Sequence, residues 1–127
     1  MFKTIVVGTD GSETAAKAVQ EAASIAARLS ASLELVSATE EGAADSGQAV
    51  LDRVRGEVEA AGVSSVNLHA KTGDPAEAII EVAEQTSADL IVVGNKGMTG
   101  AKRFLLGSVP NQVSHHAPCS VLIIRTT

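Results

Sequence analysis

A chain of 127 residues, 45% hydrophobic and 20% charged, is long enough to bury a real core and too apolar to be disordered, so one domain over residues 1–127 is expected. Two Phe with no Trp or Tyr offer no aromatic platform for stacking bases, and a net charge of −5 argues against an extended nucleic-acid footprint. One cysteine cannot close an internal disulfide, no apolar stretch approaches the roughly 18–20 residues of a membrane span, and Met1-Phe2-Lys3 leads straight into a strand-like run rather than an export signal, so cytoplasm is the expected compartment.

Residues 3–9 (KTIVVGT) read as a β-branched strand that ends at Asp10-Gly11-Ser12. The Ala-rich stretch 13–30 then reads as a helix, with Ser12 placed to cap it and Glu13 placed to complement its dipole. A second strand is expected over 33–38, and the small, acidic segment 39–47 reads as a mobile loop. Val50, Val54, Val58 and Ala61 recur at helical spacing, predicting an amphipathic helix over 48–61 that stops at Gly62.

A third strand follows at about 65–71. Gly73-Asp74-Pro75 is a clear helix start, with Asp74 as cap, Pro75 in the first helical position and Ala76, Ile79, Ile80 and Ala83 as the buried stripe. Residues 89–93 (DLIVV) form a continuous apolar strand of the kind buried on both faces of a parallel sheet. Ser108 with Pro110 signals a last helix to about His116, and 119–125 (CSVLIIR) is the last strand. Strict alternation of strand and helix predicts a parallel sheet covered on both faces, with any ligand beyond the carboxyl ends of the strands where strand order reverses.

Glycines gather at those ends: Gly8 to Gly11 after the first strand, and Gly94 to Gly107 after the fourth. About a dozen residues, Asn95 to Leu106, link the fourth strand to the last helix, which is long for such a connection and points to a site. Glycines admit a ligand close to the backbone, and a helix N-terminus presents N–H groups and a positive dipole to phosphate. The alternative is structural, with the glycines making turns and Ser108 only capping its helix. Beyond Asp89 the chain carries Lys96, Lys102, Arg103 and Arg125 with no acidic residue, which suits one small anion or reflects solvated loop charge. No G-x-x-x-x-G-K-[ST] or G-x-G-x-x-G occurs, which disfavours a P-loop NTPase and a dinucleotide oxidoreductase.

Gly94-Asn95-Lys96-Gly97, nine residues, then Gly107-Ser108 spell G-x-x-G-x9-G-[ST], which resembles the nucleotide-binding signature of the universal stress protein family. The resemblance extends to Thr9-Asp10-Gly11-Ser12, Gly73-Asp74-Pro75, Asp89 to Gly94 and Ala117 to Arg125, and so covers essentially the whole chain; the stretch after the second strand is shorter than in many relatives. It implies a three-layer α/β/α fold of the adenine-nucleotide alpha hydrolase-like type, with a five-stranded parallel sheet of order 3-2-1-4-5. It also implies a homodimer joined along the last strands, residues 119–125. Carried over by position, Gly94, Asn95, Lys96 and Gly97 would approach ribose and phosphate, and Gly107, Ser108 and the backbone of Val109 would hold the phosphates. Gly8 and Thr9 would lie beside the nucleotide, Ala38 would meet the adenine edge, and Asp10 would bond a sugar hydroxyl or the adenine amine, with Mg²⁺ shared with the phosphates as an option.

Catalytic groups are few. His69 reads as a surface or partly buried strand residue, His115 and His116 sit on diverging positions at a helix end, and Cys119 reads as a packed thiol. The expected function is therefore a non-enzymatic regulator or sensor in stress response that binds ATP, AMP or cyclic AMP. A slow ATPase and a dimeric interaction module that binds no nucleotide are the two alternatives.

Overall fold

The structure is a computed structural model that describes residues 1–96 and 107–126. In chain order the described residues form β1 (Thr4–Gly8), α1 (Glu13–Leu29), β2 (Ser32–Thr39), α2 (Ala44–Ala60), β3 (Val66–Thr72), α3 (Pro75–Gln85), β4 (Leu90–Gly94), α4 (Ser108–His116) and β5 (Ser120–Ile124). The strands pair in parallel in the order β3-β2-β1-β4-β5, as expected.

Strand alternation assigns the two faces. Ile5, Val7, Leu33, Leu35, Leu90 and Val92 are buried under α1 and α2, while Val6, Val36, Ile91 and Val93 are buried under α3 and α4. A core built from branched aliphatic side chains fits a sheet covered on both faces, and it explains why β4 reads as an uninterrupted apolar run.

Helix starts follow the capping residues. The Ser12 hydroxyl accepts a hydrogen bond from Ala15 N at 3.2 Å, and an Asp74 carboxylate oxygen accepts one from Glu77 N at 3.0 Å, with Pro75 in the first helical turn. Two expectations need correction. Helix α2 begins at Ala44, within the segment read as a loop, and Leu51 joins Val54 and Val58 in its buried face while Ala61 is exposed. The reason is packing: Gly47 lies inside the helix, where a Cβ would come within 2.8 Å of Ser37 Oγ on β2, so the residue that lowers helix propensity lets the helix reach the sheet. At the start of α4, Gly107 takes the cap position and Ser108 the first helical position, with no side-chain cap.

Candidate functional site

The sheet's direction of winding reverses between β1 and β4. These strands pair only from Ile5↔Leu90 to Val7↔Val92, so Gly8 and Gly94 extend beyond the last pair. A small cavity of about 20 Å³ lies at this point, and Gly8, Gly94, Thr14, Val93 and Val109 help to line it. The fold thus brings the two glycine-bearing strand ends and the start of α4 together, although β1 lies far from the other two in sequence.

On the β1 side, Thr9 is buried: its N–H donates to Val36 O at 2.8 Å and its Oγ1 accepts from Gly11 N at 3.1 Å. Asp10 is exposed, and its Oδ1 accepts from Ser12 N at 2.9 Å, closing a turn that Gly11 completes at φ +83°. One carboxylate oxygen of Asp10 is thereby engaged in the turn. Ala38, two residues beyond Val36, pairs with Lys71 and packs on the core beneath α3 and α4.

On the β4 side, Asn95 joins three elements. Its N–H donates to Ile124 O at 2.8 Å, its backbone oxygen accepts from Gly107 N at 2.9 Å, and its Oδ1 accepts from Thr126 N at 2.8 Å and Thr126 Oγ1 at 2.9 Å. A Cβ on Gly94 would stand 3.0 Å from Thr126 Cγ2, so this glycine answers to the tail of β5 as well as to any ligand. Lys96 is buried rather than solvated. Gly97, Lys102 and Arg103 lie outside the described residues.

Helix α4 opens at this knot. The first turn of a helix leaves its N–H groups without intrahelical acceptors, and Pro110 brings none, so Ser108 and Val109 supply the N–H groups available at the helix mouth. Ser108 is exposed, whereas Val109 is buried and lines the cavity. The α4 N-terminus therefore presents donors and a positive dipole end beside the crevice.

Among the described residues, no three His, Cys, Asp or Glu side chains converge on a metal position. His69 instead pairs through Nε2 with buried Glu34 at 2.9 Å, and Glu34 also accepts from Asn67 Nδ2 at 2.8 Å. Cys119 is half-buried; burial pushes its thiol above the ordinary value, and the Asp89 carboxylate adds to the shift. Sequence reasoning missed Glu34 and Thr126 as structural partners. Neither pairing has a local signal, since the contacts span 33, 35 and 31 residues.

A doubly wound α/β sheet takes its ligands beyond the carboxyl ends of its strands, at the switch point where this chain places two glycines and a helix N-terminus. The model of the universal stress protein family matches residues 1–125, and the chain belongs to that family. Universal stress protein Rv1636 of Mycobacterium tuberculosis is 37% identical over 143 aligned positions, covering 99% of this chain and 98% of the relative. Universal stress protein MJ0531 of Methanocaldococcus jannaschii is 35% identical, over 98% of this chain and 83% of its own length. A crystal structure of a universal stress protein in complex with cAMP superposes with a TM-score of 0.86 at 37% identity, covering 99% of this chain and 98% of that one. Among the described residues, no helix is long and apolar enough to cross a membrane.

Proposed function

We propose that this chain binds an adenine nucleotide in the crevice between β1 and β4 and acts as a nucleotide-dependent regulator in the cytoplasm under stress, rather than as an enzyme. The observation that carries the reading is the open mouth of α4, where Gly107 caps the helix without a side chain, Ser108 and Val109 begin the helix, and Val109 lines the same cavity as Gly8 and Gly94. The relative in complex with cAMP supports the same ligand class. In this reading Gly107, Ser108 and Val109 hold phosphate, Gly94, Asn95, Lys96 and Gly97 border ribose and phosphate, and Gly8, Thr9, Asp10 and the Ala38 backbone border the nucleoside. A divalent ion would find one spare carboxylate oxygen at Asp10, so Mg²⁺ fits only as an ion whose remaining ligands are phosphate and water.

The test is equilibrium titration of the purified protein with ATP, AMP and cyclic AMP, together with mass spectrometry of any nucleotide released on heating. Saturable binding in the micromolar range that Ser108→Ala weakens is the expected result. No saturation with any of the three up to millimolar concentration removes the reading.

We also propose that the chain pairs with its twin along β5. Leu122 is 36% and Ile123 38% exposed on this edge strand, an arrangement that self-pairing would cover. Analytical ultracentrifugation at tens of micromolar should show a dimer, and a monomer would refute the pairing.

A further inference from the structure

On the sheet face away from α3 and α4, a cavity of about 200 Å³ lies between α1 and α2. Its floor is Val19, Ala23, Val54 and Val58, all buried, and the gap is left by small side chains, Ala16 and Ala23 on α1 and Ala61 at the end of α2. Its polar groups lie along the rim and are unevenly distributed. At one end stand the Thr9–Ser12 turn, the N-terminus of α1 and Arg53, whose Nη2 lies 3.4 Å from Gly11 O. Glu13, in the first turn of α1, offsets part of that positive charge, while Glu57 lies one helical turn along α2 from Arg53 and Gln20 is on the opposite wall. Among the described residues, Arg53 makes no ion pair with a carboxylate.

We propose that this cavity is a binding site for a small amphipathic anion, distinct from the nucleotide crevice. The carboxylate or phosphate head sits at Arg53 and the α1 N-terminus, and the apolar body runs along Val19, Val54 and Val58 towards Ala23 and Ala61. The size fits: a cavity near 150 Å³ takes up benzene, so this one accommodates a chain of about six to eight carbons. A long apolar floor that ends at one guanidinium, Arg53, which has no carboxylate partner among the described residues, suits an amphipath with a single anionic head better than a polar metabolite. Of the Thr9–Ser12 turn only Thr9 borders both sites, and the inference does not rest on nucleotide binding.

Octanoate is the probe, with octylammonium and octanol as controls, followed by amide chemical shifts in ¹⁵N-labelled full chain. Saturable shifts confined to amides of the 16–23 and 53–61 segments and of the turn are expected, with octanoate bound more tightly than either control. Arg53→Ala should weaken octanoate about three- to fivefold. Ala16→Leu and Ala61→Leu, which fill the cavity from opposite helices, should each abolish binding while the protein stays folded by circular dichroism; if one fails to fold, the other decides. Absence of saturable shifts, octylammonium or octanol binding as tightly as octanoate, or retained binding in a folded filled variant overturns the proposal. Displacement of octanoate by ATP also overturns it, because the cavity would then be part of the nucleotide crevice; failure of ATP to bind anywhere leaves this inference standing and removes the proposed function instead.

Discussion

The Asn95 carboxamide oxygen accepts two hydrogen bonds from Thr126, from its N–H at 2.8 Å and its hydroxyl at 2.9 Å, tying the end of β4 to the tail of β5. Because the backbone of the same residue also binds Ile124 and Gly107, one side chain and two main-chain groups fix where α4 begins. The Thr126 backbone oxygen in turn accepts from Lys17 Nζ at 2.9 Å, extending the network to α1. The position of the α4 mouth is therefore tied to the tail of β5 and, through it, to α1.

Asn95→Ala removes the shared acceptor and leaves buried Thr126 with two unsatisfied donors. A loss of about 1–3 kcal/mol is expected. Urea denaturation measures it. If the crevice binds nucleotide, affinity should fall as well, because the α4 mouth loses its anchor; unchanged stability would show that Asn95 does not hold the knot.

Gly94→Ala places a methyl group 3.0 Å from Thr126 Cγ2. The substitution should cost about 1–2 kcal/mol through overpacking. Thr126→Ser removes that methyl and keeps the hydroxyl that bonds Asn95, so the double variant should recover most of the loss. A double-mutant cycle by chemical denaturation gives the coupling, and additive losses would mean that the contact relaxes without cost.

Most of the fold was legible because its signals are local. Ser12 and the Asp74-Pro75 pair announce two helix starts, and the apolar run of β4 announces a strand buried on both faces. What was not legible depends on distant contacts. The small, acidic segment 39–47 reads as loop, yet Gly47 serves the approach of α2 to Ser37. Ser108 reads as a cap, yet Gly107 takes that position while its N–H is held by Asn95. In the candidate site the glycines were recognised for what they admit, but the reasons two of them are glycine lie partly in neighbours, Thr126 at Gly94 and Val50 with Arg53 at Gly11, that no spacing rule identifies.

Buried Glu34 makes a different kind of prediction. It satisfies Asn67 and His69 on the edge strand β3, on the face shared with α3. Glu34→Ala removes the acceptor shared by Asn67 and His69, both of which reach solvent, and should cost about 1 kcal/mol, while Glu34→Gln, which keeps one oxygen, should cost less. No loss in Glu34→Ala by urea denaturation would show that water replaces the carboxylate without penalty.

The last prediction concerns acid. Lys3 N donates to both Asp89 carboxylate oxygens, at 3.1 and 2.9 Å, and Thr4 N donates to one at 3.1 Å, holding the start of β1 against the start of β4. Desolvation raises the pKa of this carboxyl, but the backbone bonds from Lys3, Thr4 and Asp89 itself, with the N-terminal ammonium, outweigh it and leave the pKa below the ordinary value of 3.8. The unfolded chain therefore takes up a proton at higher pH than the folded chain. The contribution is fully present above the unfolded value and is lost as pH falls through the folded one. Asp89→Asn should be less stable than the parent at neutral pH, and the difference should shrink as both are acidified below about pH 4. Denaturation midpoints measured from about pH 6 down to pH 2 test the sign; a gap that stays constant across that range would show that the charge of Asp89 contributes nothing to holding β1.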